Sequence, residues 1–500
     1  MTIKLTLNAE TLTEGQSISA SSFVKSVTDS AKRSISQYSV YDSGTDGGYF
    51  MLNGVKLSDG AWHTLTAAQF AQLVYVAGSS AGTETISIKA YDGSVWSPVV
   101  STKETTTAPA VSNTVTLLEQ LGVSASAAQQ MATNKSLSYN DMLTILQDAA
   151  VGGMTTTKFN DLKTLASLLN QPNGFSVSSY VQQIADDVIL GNSANAYWNG
   201  GSSTATKLGN LTATSTQTQV NELIGKWFLG TDLPSLDVSG IGESNYNPTY
   251  QNFSLPLFGS SGTPSYLDVN QGYLGDCYFV AALGEVALQD PNIIENMITA
   301  NGNGTYSVLF YVNGQPDYVT VNGQLPVFGG GYQWANGSTL EFANGTTDEW
   351  VALVEKAFAE LDEQTAAASY GGHATGDAYE DINGGTAITL SEITDETFNT
   401  YNLSPSSSTS SLTSLMSTLA ADFAAGDEII LSTPNVDNGN LVGDHMYMVT
   451  GVNLATGTIS IQNPWNSAYS GPLQMSFTDT IAQLAADSVS IYATTGTKIA

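Results

Sequence analysis

A single cysteine, Cys277, stands among 500 residues, so the chain can close no intrachain disulfide and cannot build a zinc site from clustered thiolates. A lone cysteine is inert, regulatory or catalytic. Cations are scarce as well: 14 Lys and Arg stand against 45 Asp and Glu, a net charge of -31. That balance opposes any general attraction to nucleic acid or to anionic membrane surfaces. No apolar run approaches the roughly 18 residues of a membrane span, and the opening MTIKLTLNAE lacks the apolar core of a secretory signal peptide. Neither a membrane span nor signal-peptide export is expected. Histidine is rare too, with only His63, His373 and His445 available as an imidazole base.

Apolar residues make up 42% of the chain, enough to bury several cores, and its length exceeds what one core usually organises. The expectation is a multidomain protein. Residues 1–108 read as an all-β sandwich: Ile3, Leu5 and Leu7 alternate with polar residues, TETISIKAYDGSVWS alternates again, and Asn53-Gly54 and Asp92-Gly93 mark turns. The stretch LTAAQFAQLVYVAGSSAGTETISIKAYDG resembles cadherin-like or immunoglobulin-like modules appended to large bacterial secreted proteins, which implies adhesion or spacing. Linker composition in STKETTTAPAVSN sets a boundary near residue 110.

Residues 113–240 change to helical spacing, as in Leu117, Leu118 and Leu121, then Leu162, Leu165, Leu168 and Leu169, then Val181, Ile184 and Val188. This central α-helical region is either a packing module or an inhibitory pro-segment acting within the chain. Residues 241–500 mix both periods and read as α+β. A helix is expected after Asp276, a hairpin through Asn313-Gly314, a helix over about 348–363, and strands near 428–432, 446–453 and 458–462.

The chemistry centres on QGYLGDCYFVAALGEVAL. Asp276 can cap, and Phe279, Ala282, Leu283 and Val286 repeat at helical spacing, so Cys277 opens a helix. A helix N-terminus favours thiolate over thiol. The alternative is an ordinary buried cysteine on an apolar helix face.

QGYLGDCYFVAAL resembles the active-site segment of the calpain family of papain-like cysteine peptidases. GDHMYMVTGVN, carrying His445, and ISIQNPWN, carrying Asn463, follow in the family's order, and DEWVALVEKAFAEL and YGGHATGDAYEDINGG are similar to further core segments. The similarity covers roughly residues 262–470. It implies a papain-like fold for the C-terminal region, with Cys277 as nucleophile, His445 as general base and acid, and Asn463 holding the imidazole. The residues agree with that, since a thiol nucleophile needs a base within hydrogen-bond reach and a third group to orient the base. By resemblance Gln271, six residues before the cysteine, joins the oxyanion hole, and Trp465 either shields the His-Asn bond from water or obstructs the cleft in an inactive arrangement.

The resemblance also implies calcium, bound by carboxylates and backbone carbonyls. Asp268 and Asp348 fall where the acidic ligands of one family site would lie, with Gly262 near the carbonyl ligands. For Asp348 an acid favoured in the first turn of a helix is the alternative. A second family site lacks its acids here, because Asn-Ser-Ala-Tyr follows Trp465. Asp444 replaces the family's glycine before the histidine; on a strand, its side chain would face away from that of His445.

The expected activity is therefore endopeptidase cleavage of protein or peptide substrates through a Cys277 acyl-thioester, with calcium the one cofactor considered and no organic cofactor. Its rivals are a catalytically silent papain-fold binding or adhesion protein, and a transpeptidase or amidase on the same machinery. Secretion without an N-terminal signal is expected from the acidic, nearly cysteine-free composition and the N-terminal module, with the cytoplasm as the alternative location.

Overall fold

A computed structural model describes residues 2–499 apart from 14, 45–46, 53, 79–81, 108–110, 173, 238–247, 273, 329–330, 333–347, 366–376, 436 and 467–471. Contacts divide the chain into two compact units, Met1–Ala149 with Asn160–Ser178 and Ala150–Phe159 with Ser179–Ala500.

In the first unit, alternation becomes sheet. Along the strand Gly82–Tyr91, the side chains of Glu84, Ile86, Ile88 and Ala90 are buried, while Thr85, Lys89 and Tyr91 on the opposite face are partly open. This strand lies third in a five-stranded sheet ordered Glu10–Thr13, Val100–Thr107, Gly82–Tyr91, Gln37–Asp42 and His63–Thr66. A four-stranded and a two-stranded sheet complete the β region. Its core is aromatic at the centre, where the Phe23 and Phe50 rings each lie 5.3 Å from that of Tyr75 in edge contacts. Helices Val111–Gln120, Ala125–Asn134 and Tyr139–Ala150 follow, and Leu118, Leu121, Met142, Ile145 and Leu146 on their apolar stripes are fully buried.

The helical region expected as one block over 113–240 is divided between the two units. The cause lies in the partners of the helix Ser179–Ile189, which packs on the strand Gln315–Asn322. Tyr180 Oη and Thr320 Oγ1 are hydrogen-bonded at 2.8 Å, and Gln183 Nε2 donates to Asp317 Oδ1 at 2.6 Å. Thr320 Oγ1 in turn donates to the Trp227 carbonyl at 2.6 Å, while Trp227 Nε1 donates to Asn195 Oδ1 at 2.6 Å. Residues 179–229 are thus structural support for the C-terminal body.

Two apolar clusters of that body position the site. One surrounds the helix Cys277–Gln289, which is buried along nearly its whole length and stacks Phe279 on Phe358 of the helix Trp350–Thr365 at 3.9 Å. Antiparallel strands Ile298–Ala300, Thr305–Val312 and Gln315–Asn322 cover it, and the hairpin at Asn313-Gly314 takes the left-handed backbone that its two-residue turn requires. The other cluster lies on a six-stranded antiparallel sheet ordered Glu396–Asn402, Ser490–Lys498, Ile429–Ser432, Met446–Asn453, Thr458–Gln462 and Ser476–Thr480.

Helix and sheet meet at Gly284. A Cβ there would collide with Met448 Sδ, so glycine lets the Cys277 helix come this close to the Met446–Asn453 strand without displacing the Met448 side chain. The next residue, Glu285, is fully buried and accepts the Val449 amide at 3.1 Å, tying the helix to the strand. Burial pushes the Glu285 carboxyl well above the usual range, while its bonds to Gln289, Ile429 and Val449 pull it back.

Candidate active site

Cys277 is the first residue of its helix, as its sequence context predicts. Asp276 does not cap that helix through its side chain: its backbone has φ -96° and ψ 24°, and the carboxyl is buried beside Glu355 and Gln271 instead. Burial raises that carboxyl to about 6. Behind the cysteine, Gly275 donates its amide to Asn383 Oδ1 at 2.7 Å and accepts from the Gly384 amide at 2.9 Å. The next residue, Gly385, has no room for a Cβ against the Tyr278 ring. These contacts fix the Gly275–Cys277 turn.

His445 comes from the facing sheet. Its amide donates to Thr433 Oγ1 at 3.1 Å and its carbonyl accepts the Thr433 amide at 3.0 Å, so the backbone on both sides of the imidazole is held. Nε2 lies 3.0 Å from Asn463 Oδ1. The Trp465 amide donates to that same Oδ1 at 2.9 Å, which sets the oxygen end of Asn463 toward the ring. Nε2 then carries the proton and Nδ1 keeps its lone pair. Tyr447 and Trp465 flank the ring at 4.8 and 4.9 Å between centroids.

The strand expected near 446–453 spans Met446–Asn453, so His445 stands just before its first residue. Asp444 precedes it with a left-handed backbone, φ 52°, and is exposed at the cleft, so strand alternation does not govern where its carboxylate points. Cys277, His445 and Asp444 line one cleft of about 370 Å³, with Tyr278, Gly384, Gly385, Thr386, Ser432, Thr433 and Tyr492 among the other walls. None of the described lining residues belongs to 113–240.

The electrostatics set a resting state. Burial pushes the Cys277 thiol up to about 11, against the Met446 amide that faces the sulfur and favours thiolate; the neighbouring Asp276 adds to the rise. Burial pushes His445 down to about 4, against the Asn463 bond that favours imidazolium. Thiol and neutral imidazole are the stable pair near neutrality.

Gln271 is buried, and its Nε2 donates to the Leu274 carbonyl at 2.7 Å. Its backbone N–H donates to the Pro464 carbonyl at 2.9 Å, and Asn466 Nδ2 donates to the carbonyls of Leu267 and Val269 at 3.1 and 3.2 Å. The Gln271 and Asn463 loops are thereby stitched together.

Asp268 closes a capping box with Ser265 and accepts Trp350 Nε1 at 2.9 Å. Asp348 is nearly fully buried, and neither carboxylate oxygen has a partner among the described residues. Burial raises Asp348 to about 8, and the negative charges of Asp268 and Glu349 add to the rise. No cluster of three metal-ligating side chains occurs among the described residues. Of the other histidines, His63 lies in the first unit with Nε2 2.8 Å from the Ser58 carbonyl, and His373 lies outside the described residues.

The signature of calpain family cysteine proteases matches residues 251–479. This segment belongs to the calpain family. Its relatives include the calpain clp-1 of Caenorhabditis elegans, 30% identical over 230 residues that cover 42% of this chain and 26% of that protein. Calpain-13 of Rattus norvegicus is 26% identical over 253 residues, covering 48% and 34%, and the calpain-2 catalytic subunit of Gallus gallus is 28% identical over 227, covering 42% and 29%. The chain thus spans about a third or less of the length of the curated relatives it matches. The elements that carry Cys277, His445 and Asn463 fall inside the calpain-family segment, whereas Tyr492, which also lines the cleft, lies beyond its end.

Sequence reasoning missed Gly284, Glu285 and Thr433, which position the reactive groups without touching the cleft's chemistry. Gly284 and Glu285 sit in the VAALGEVAL run, where a glycine and an acid inside an apolar helix were the available signal. Thr433 carried none.

Proposed function

We propose that this chain is a cysteine endopeptidase that cleaves protein substrates, with Cys277, His445, Asn463 and Gln271 as its machinery. The observation that carries the reading is the His445–Asn463 bond at 3.0 Å, in a cleft shared with a cysteine at a helix N-terminus. In this mechanism Cys277 Sγ gives its proton to His445 Nδ1 and attacks the substrate carbonyl carbon. The negative charge that develops on the carbonyl oxygen is met by the Cys277 backbone N–H and by the Gln271 amide, which turns from Leu274 toward it. His445 passes the proton to the leaving amine, the C–N bond breaks, and an acyl-thioester remains. Water, deprotonated by His445, hydrolyses the thioester and returns the thiol.

Asp268 and Asp348 would hold calcium, with backbone carbonyls completing an oxygen shell. Asp348 fits this role because its two oxygens are buried and unpartnered among the described residues. Bound calcium would supply charge neutralisation and a tie between the Ser265–Asp268 turn and the Trp350 helix. The N-terminal residues 1–108 form, in this reading, a separate β-sandwich module, and the protein is secreted. Inhibition by residues 113–240 would act through positioning of the body, since no described residue of that region lines the cleft.

Mass spectrometry of products from casein in H₂¹⁸O tests the reaction. Hydrolysis predicts new C-termini carrying ¹⁸O, while ligated peptides without the label would make the chain a transpeptidase.

A further inference from the structure

The outer face of the five-stranded sheet differs from the rest of this acidic protein. The outward positions of its strands Glu10–Thr13, Gln37–Asp42, His63–Thr66, Gly82–Tyr91 and Val100–Thr107 carry threonine, serine, glutamine, lysine and tyrosine, and no carboxylate. Seven of the 14 basic residues of the chain, but only nine of its 45 acidic ones, lie in the first 107 residues.

At one end of this face the aromatic side chains gather. Lys89 Nζ stands 4.9 Å from the ring centres of both Trp62 and Trp96. Tyr41 packs on Trp62 at 5.5 Å and Tyr91 on Trp96 at 4.9 Å. Trp62 and Trp96 are 42% and 37% exposed, the two exposed tryptophans among the described residues, and they flank a single ammonium. Side by side on one face, rather than scattered singly, the two part-exposed indoles offer a ligand a shared aromatic surface.

Lys89 has no ion-pair partner among the described residues, and Lys103 on the same face donates to Thr85 Oγ1 at 2.9 Å rather than to an acid. In a chain with this excess of carboxylates, two outward cations without an acidic neighbour leave a local positive site. The surrounding hydroxyls suit a hydroxylated ligand, whereas a protein partner's hot spot would find an aromatic pair with few aliphatic neighbours. Each ring centre lies 4.9 Å from the same ammonium, so one ligand that reaches Lys89 can touch both indoles.

We infer that this face binds an acidic oligosaccharide, with uronic-acid rings lying against the exposed parts of Trp62 and Trp96 and a sugar carboxylate paired with Lys89. Repulsion by the distant acidic surface is screened beyond about 8 Å at physiological salt, so the local charge decides.

Isothermal titration of the full chain with tetragalacturonate and with maltotetraose, in physiological salt, tests this. The expected result is binding of the uronate at least about tenfold tighter than the neutral sugar. Lys89→Met should abolish that preference, and Trp62→Ala and Trp96→Ala should each weaken uronate binding about tenfold, all three with an unchanged unfolding temperature. No uronate binding, equal binding of the neutral sugar, or binding that survives all three substitutions would overturn the inference. If Lys89→Met shifts the unfolding temperature, the two tryptophan variants decide the outcome.

Discussion

Cys277 and His445 are each buried against their charged forms, the thiol raised to about 11 and the imidazole lowered to about 4. In the proposed mechanism proton transfer between them is therefore uphill at rest, and substrate binding would have to offset it by bringing its carbonyl oxygen to the Cys277 N–H and the Gln271 amide. A raised thiol pKa means that the thiolate fraction grows with pH throughout the neutral range. The rate of Cys277 alkylation by iodoacetamide without substrate should accordingly climb from pH 6 to pH 9 with no plateau. A plateau by pH 7 would mean that a thiolate–imidazolium pair already exists at rest. Asp348 gives a second residue-scale expectation. Millimolar calcium should raise the unfolding temperature of the parent chain, and Asp348→Asn should remove most of that rise while itself stabilising the calcium-free chain, because it takes away a buried acid beside Asp268 and Glu349. Differential scanning calorimetry with calcium or chelator reads both. The motif residues were legible in the sequence because Cys277, His445 and Asn463 each lie in a distinctive local run. Asp444 was not, since a left-handed aspartate inside an apolar stretch looks like part of the strand that follows it.

At the scale of elements, the distance between the two halves of the cleft depends on how closely the Cys277 helix approaches the Met446–Asn453 strand. Gly284 permits the approach and Glu285 fastens it. Gly284→Ala should push Met448 away, destabilise the fold by about 1–3 kcal/mol through overpacking, and lower activity by separating Cys277 from His445. Glu285→Gln keeps an acceptor for the Val449 amide and should be tolerated, whereas Glu285→Ala leaves that amide unpaired and should cost about 1–3 kcal/mol. Urea unfolding of the three variants checks the order. Helix and strand positions were readable from periodicity, but this contact was not: a glycine in a helix announces a close neighbour without naming it.

For the whole molecule, the division inside the helical region has a consequence for dissection. Tyr180, Gln183 and Trp227 have their hydrogen-bond partners within the C-terminal body, so a chain starting at 179 keeps them and a chain starting at 241 loses them. The longer fragment should unfold cooperatively and keep peptidase activity, while the shorter should melt at lower temperature and expose apolar surface to a hydrophobic dye. Equal stability of the two would reduce residues 179–229 to a passenger. Sequence periodicity located the helices Val111–Gln120 through Gln217–Ile224, yet it could not show which of them belong to which core, because an apolar stripe specifies burial and leaves the partner open.

The most direct measurement compares the parent chain with Cys277→Ala and His445→Ala on a quenched peptide, together with mass spectrometry of the chain after a peptide chloromethyl ketone. The parent should cleave and gain one inhibitor adduct on Cys277. Cys277→Ala should do neither, and His445→Ala should lose about 100- to 10,000-fold in kcat/KM. Cleavage that persists in Cys277→Ala, or a parent chain whose folded cleft neither cleaves nor takes the adduct with calcium present, would contradict a cysteine peptidase built on this cleft.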